Sequence, residues 1–255
     1  MSASFVASTV TDGVATITLE RPPLNILNID MMEQLNAALL AIRDRKDLRA
    51  LVLRGKGKAF CAGVDVADHT PERVGRMLQV FLRIFETMRM IDVVSVAAVN
   101  GPAVGGGFEL AIACNLIVAS DKAVFALPEI ELGVFPPVAA VILPRTTPRR
   151  KAMEWILTGE KISAKELVTY GIVNKVLPQA KFEAGLKKFI ASLSSKSAPV
   201  LRLARQAQLS AYYSTYEQAV TTVESLYLKD LMNLRDAKEG IASFLEKRKP
   251  VWRHS

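Results

Sequence analysis

Three consecutive glycines, Gly105-Gly106-Gly107, separate the apolar run Val93 to Val99 from a second run, Leu110-Ala111-Ile112-Ala113-Cys114. The first run reads as a buried strand and the second as a short buried helix. A junction of bare backbone leaves N–H groups unpaired where the helix dipole is positive. That arrangement suits an anion or a developing oxyanion. Glu109 then falls in the first turn of the helix, among apolar neighbours. A carboxyl group in such surroundings can have a raised pKa and serve as acid or base.

The same alternation extends along the chain. Residues 4–10 and 14–19 alternate around Asp12-Gly13, a hairpin signal. Asp30 can cap a helix to about Arg45, with Met31, Leu35, Leu39 and Ile42 on one face. Strands are predicted at Ala50–Arg54, Val93–Val99, Leu116–Ala119 and Ala123–Ala126, with a helix opened by Pro71 and running to about Met90. Strands alternating with helices argue for an α/β core with parallel strands. Beyond Pro136 the chain becomes mostly helical. Thr147-Pro148 starts a helix, Ser163 to Glu166 reads as a capping box, and a strand is predicted at Val173–Leu177. Three more helices follow, Pro199–Ala211, Ser214–Asp230 and Arg235–Lys247, the second opened by a capping box at Ser214-Thr215-Tyr216-Glu217. We therefore expect an α/β core over 1–195 and a helical region over 196–255.

Composition narrows the function classes. No apolar run approaches the roughly 18 residues of a membrane span. The start, Met1-Ser2-Ala3-Ser4-Phe5, has no basic and apolar leader pattern, and Cys61 and Cys114 make no disulfide framework. These features read as an intracellular, reduced and cytoplasmic protein with no membrane partner. The net charge of +8 favours an anionic partner, such as phosphates on a small molecule. The basic clusters Arg149-Arg150-Lys151 and Lys247-Arg248-Lys249 have little aromatic interleaving, which argues against a dedicated RNA surface. His69 and His254 are the only histidines, so a His-based metal site or a His-activated nucleophile is not expected. Acid–base chemistry should rest on carboxylates, Lys or Tyr.

Each candidate also has a plain structural reading. The glycines can serve close helix–sheet packing, and their spacing is not the dinucleotide fingerprint. Glu109 can be a carboxylate favoured by the helix dipole. Glu129, in Leu127-Pro128-Glu129-Ile130-Glu131-Leu132-Gly133, can be a loop charge, and Asp65 a turn residue. The cysteines fit small buried positions. The combination points further. The loop Phe60-Cys61-Ala62-Gly63-Val64-Asp65, after the Ala50–Arg54 strand, offers a second set of accessible N–H groups. Val64 and Gly106 can each donate one N–H to a single carbonyl oxygen, with Glu109 and Glu129 flanking the adjacent carbons.

Read this way, the chain resembles the crotonase family of enoyl-CoA hydratases and isomerases. The resemblance runs from Leu19-Glu20-Arg21-Pro22 through Ala59 to Asp65, Ala97 to Gly101, Gly105 to Ala111 and Leu127 to Gly133. It ends within Arg235 to Lys249. It implies a spiral of ββα units with a C-terminal helical region that packs in a trimer or hexamer. It implies an acyl-CoA thioester substrate, coenzyme A being part of the substrate, and no metal or separate cofactor. By the same resemblance Val64 and Gly106 form the oxyanion hole, and Glu109 and Glu129 orient and activate water. Coenzyme A would lie against Ala62, Gly63, Asp65 and Val66, the Pro23–Leu24 turn, and Lys247 of a neighbouring subunit. Gly105, Phe135 and Pro136 would stand beside the substrate.

Having both glutamates favours a hydratase over an isomerase or a non-catalytic CoA-ester- or RNA-binding relative. One segment departs from the family. Many hydratases have a glycine-rich turn after the position of Gly133; here the chain reads Val134-Phe135-Pro136-Pro137-Val138. Proline removes an N–H and fixes φ, so a stiffer acyl pocket is expected. This segment and Arg21 to Leu27 look like cyclohexa-1,5-diene-1-carboxyl-CoA hydratases.

Overall fold

The computed structural model describes residues 3–255; Met1 and Ser2, part of the start read above, lie outside the described residues. Strands β1 (Val6–Thr11) and β2 (Val14–Leu19) form the expected hairpin. Its turn residues Asp12 and Gly13 have φ of 49° and 70°, the left-handed pair that a two-residue hairpin loop requires. Helix α1 (Ile29–Arg43) buries Met31, Met32, Leu35, Leu39 and Ile42. Its cap is Asn28, which accepts from the Met31 N–H, rather than Asp30, which lies in the first turn. Strand β3 (Ala50–Gly55) and helix α2 (Val74–Met90) follow, the helix starting three residues beyond Pro71 because 71–73 form a turn.

The chain next makes two similar excursions. β4 (Ser95–Val99) is followed by β5 (Ala103–Val104) and α3 (Gly106–Ala113). β6 (Leu116–Ser120) is followed by β7 (Val124–Ala126) and α4 (Ala139–Thr146). Each places its first strand in a six-stranded sheet and its second in a three-stranded one. With α5 (Arg149–Thr158), β8 (Ile162–Ser163), α6 (Ala164–Thr169) and β9 (Lys175–Leu177), the sheet orders are β1-β2-β3-β4-β6-β9 and β5-β7-β8. Among the described residues, only β1–β2 and β7–β8 are antiparallel. A bridge between Cys61 and Ala103 extends the smaller sheet to the loop after β3. The result is the expected winding of ββα units.

The central strands are buried on both faces, which is why they read as continuous apolar runs. Leu51, Leu53, Ala97 and Val99 face one core; Val52, Val96, Ala98 and Val118 face a second, smaller one. Helix α7 (Phe182–Ser194) covers the latter with Phe182 and Leu186. Three helices complete the chain, α8 (Ala198–Tyr213), α9 (Tyr216–Ser225) and α10 (Arg235–Leu245). The α9 capping box is Thr215 with Gln218, one residue later than predicted, because Ser214 closes α8. Helix α8 docks on the core through Arg205 and Gln206 to Asp92, and Tyr212 to the Arg145 carbonyl. Among the described residues, no helix is long and apolar enough to cross a membrane.

Candidate active site

Two loops converge on the N-terminus of α3. In the loop after β3, Val64 forms a parallel bridge with Leu27. The flanking groups make its bonds: the Leu27 N–H donates to the Gly63 carbonyl and the Asp65 N–H to the Leu27 carbonyl. The alternation of a strand therefore turns the Val64 N–H to the other side. At the second loop the Gly105 N–H donates to the Ala126 carbonyl, and Gly106 opens the helix. Among the described residues, neither the Val64 nor the Gly106 N–H has an acceptor. A glycine at positive φ precedes each donor, Gly63 at 110° and Gly105 at 53°.

Each of the three glycines answers to a different neighbour. A Cβ on Gly105 would stand 2.6 Å from Oε1 of Glu129, and one on Gly106 2.7 Å from Cγ2 of Val64. One on Gly107 would stand 2.1 Å from the Cys61 carbonyl oxygen. Close helix packing and an exposed donor are thus both served by one segment. The same contacts bring Val64, Gly106 and Glu129 together.

Glu109 is 1% exposed. Its Oε1 accepts from the Val138 and Ala139 N–H groups at 2.6 and 2.8 Å, where α4 begins. Glu129 lies on the short 3₁₀ turn Pro128–Leu132, and its Oε2 is buried without a hydrogen-bond partner among the described residues. Burial pushes the Glu109 carboxyl up to about 8; the Ala139 N–H opposes this, nearby Glu129 adds to it, and the Val138 N–H opposes it. Burial likewise pushes Glu129 up to about 7. Near neutral pH the pair therefore holds about one proton, which leaves one carboxylic acid and one carboxylate side by side.

A stability prediction follows from the sign of that shift. A carboxyl whose folded pKa exceeds its unfolded one favours folding most below the unfolded value, about 4.3, and loses that contribution as pH rises through about 8. Glu109→Gln keeps the acceptor oxygen for Val138 and Ala139 but cannot ionise. We expect it to match the parent near pH 4.5 and to exceed it by on the order of 5 kcal/mol at pH 9. Urea midpoints at the two pH values check this; equal midpoints at pH 9 would contradict it.

These groups face a cavity of about 480 Å³, a size suited to a small-molecule site. Of the residues singled out from sequence, Ala62, Gly63, Val64, Val66, Gly105, Gly106, Glu109, Glu129 and Phe135 line it. Pro136 does not; its neighbour Pro137 does. Asp65 is instead paired with Arg21 at 3.3 Å and accepts from the Ala67 N–H. The Pro23–Leu24 turn lies beside the loop, joined to it by the Ala62 N–H and the Leu24 carbonyl, without entering the wall. Lys247 lies just beyond α10, outside the wall. The sequence reading missed the far wall, Val74, Met77, Leu78 and Phe81 on α2, although their spacing marks one helical stripe. It also missed Asn25, 1% exposed, whose Nδ2 reaches the carbonyls of Lys56, Ala59 and Phe60 and so anchors the loop.

Known proteins similar to this chain identify its family. The sequence model described as enoyl-CoA hydratase/isomerase matches residues 9–255. The human mitochondrial enoyl-CoA hydratase domain-containing protein 3 is 34% identical over 252 residues, 95% of this chain and 82% of that protein. Its crystal structure aligns with a TM-score of 0.92 at 31% identity, covering 98% of this chain and 100% of that one. An enoyl-CoA hydratase from Bacillus anthracis aligns with a TM-score of 0.93 at 29% identity, over 99% of this chain and all of the other, 100%. The relatives include a mitochondrial protein, so the cytoplasmic location expected from composition is not a property common to the family.

Proposed function

Because the chain belongs to the enoyl-CoA hydratase/isomerase family, that of the crotonases, we propose that it hydrates an α,β-unsaturated acyl-CoA. One observation carries the reading. Two acceptor-free N–H groups, the buried carboxyl of Glu109 and the half-buried one of Glu129, both pushed above the usual carboxylate range by burial, meet at one cavity. The Val64 and Gly106 N–H groups take the thioester oxygen and draw charge from the β-carbon. The ionised carboxylate of the pair removes a proton from water as its oxygen bonds to that carbon. Negative charge collects on the thioester oxygen, where fixed donors stabilise it. The protonated carboxyl returns a proton to the α-carbon, and the double bond is consumed.

For the acyl group we favour an alicyclic dienoyl ring. The turn Phe135-Pro136-Pro137-Val138, which sets Phe135 and Pro137 in the wall, supports it, since a flat, rigid ring suits a preformed wall. Coenzyme A is assigned to the 62–66 loop and the Pro23–Leu24 turn, with Lys247 reaching it from a neighbouring subunit. One residue of each basic cluster has internal partners, which also argues against an RNA surface: Lys151 lies 3.1 and 3.3 Å from Glu154 and Glu166, and Arg248 pairs with Glu239. Purified protein should hydrate cyclohexa-1,5-diene-1-carboxyl-CoA faster than crotonyl-CoA. Hydration of neither thioester would refute the activity; faster hydration of crotonyl-CoA would refute the ring.

The helical end should assemble the protein. Tyr227, Leu228, Phe244 and Leu245 are each more than half exposed, at 54%, 60%, 82% and 74%. Apolar side chains grouped on one region mark a contact surface. Light scattering at micromolar concentration is expected to give a trimer or hexamer. A monomer would contradict it.

A further inference from the structure

The turn that departs from the family pattern touches Glu109 through its backbone. Pro136 and Pro137 have no N–H, so the first free donors on the way into α4 belong to Val138 and Ala139. Both point at one atom, Oε1 of Glu109. The Pro136 carbonyl in turn accepts from the Ala140 N–H at 3.0 Å, so the turn is continuous with the helix that follows. A carboxylate at a helix N-terminus gains from the dipole as well as from the two bonds. With Oε1 so engaged, Oε2 is the oxygen left for water or a proton.

We propose that Pro136 and Pro137 are positioning residues for Glu109, aiming two backbone donors at Oε1 so that proton transfer runs through Oε2. Each ring holds φ near its helical value and prevents the turn from offering a third N–H. A glycine-rich turn would leave the same donors freer to swing away. The other titratable side chains on the cavity wall are Glu129 and His69. His69 is tied through Nδ1 to the Asp65 carbonyl at 3.0 Å. Neither touches the turn's N–H groups. Those donors oppose the effect of burial on Glu109, so loosening them should raise the pH at which it ionises.

The inference rests on the hydratase reading for its kinetic consequence but not for its physical one, and the test separates them. Pro136 itself lies outside the cavity wall, so Pro136→Gly removes no wall atom while it loosens the turn, and Pro136→Ala is a milder second variant. The full-length protein is labelled with ¹³C at glutamate carboxyls, and the Glu109 resonance is identified by its loss in Glu109→Gln. We expect Pro136→Gly to move the Glu109 midpoint up by about one pH unit. The alkaline limb of kcat/KM, which reports loss of the proton held by Glu109, should move with it, while KM for the enoyl-CoA changes by less than about threefold. Pro136→Ala should shift both in the same direction by less. An unmoved midpoint and limb, with only a lower Tm, would overturn the proposal. A moved midpoint in a protein that hydrates no enoyl-CoA would support the positioning and refute the hydratase.

Discussion

Replacing Glu109 or Glu129 with glutamine is expected to lower kcat for hydration at least about a hundredfold, the lower range for losing a positioned acid or base. Glutamine keeps the size and one acceptor oxygen. Glu109→Gln can still receive the Val138 and Ala139 N–H groups. What it loses is the transferable proton. Binding should change far less, because the acceptor-free N–H groups of Val64 and Gly106 are untouched. The double variant should be little worse than the worse single one, since both groups act on one water and share one proton. Single-turnover hydration measured beside binding of a saturated acyl-CoA separates the two effects. An isomerase would behave differently, with one glutamine variant keeping most activity on a 3-enoyl-CoA. Parental hydration rates in both single variants would refute the roles assigned to these residues.

The parts of this site that were readable from sequence share a physical reason. The glycine run was legible because removing three Cβ atoms in succession is costly unless neighbours need the space, and each does. The hairpin and the twice-buried strands were legible because turn chemistry and burial leave direct marks on residue type. The α2 wall was overlooked although its stripe is visible, because an amphipathic stripe fits an ordinary core as well as a pocket. Asn25 left no signal: one buried amide holding three carbonyls depends on loops that meet only in three dimensions. Asp65 belongs to the motif that the resemblance sets against coenzyme A, and its bonds to Arg21 and the Ala67 N–H join elements the sequence does not show to be neighbours. The double proline reads in sequence as stiffness alone, because the bonds from Val138 and Ala139 to Glu109 span 29 and 30 residues of chain and leave no local mark.

Deleting the Gly106 N–H is expected to have the second large effect. A single oxyanion donor typically contributes about 3–4 kcal/mol to transition-state stabilisation, roughly a hundred- to a thousandfold in kcat. Gly106→Pro removes the donor but also adds atoms where Val64 Cγ2 would lie 2.7 Å and Phe81 3.1 Å from a Cβ. Gly106→Ala adds the same Cβ and keeps the N–H, so the crowding is present in both. The ratio of their kcat values therefore reports the donor, and it should be at least about a hundred. Val64 supplies the partner group from its backbone. Val64→Ala keeps that N–H and relieves the contact with position 106, so its kcat should fall by less than about tenfold. The variants are compared only where circular dichroism and oligomeric state match the parent. A folded Gly106→Pro protein turning over as fast as Gly106→Ala would show that the thioester oxygen is held elsewhere.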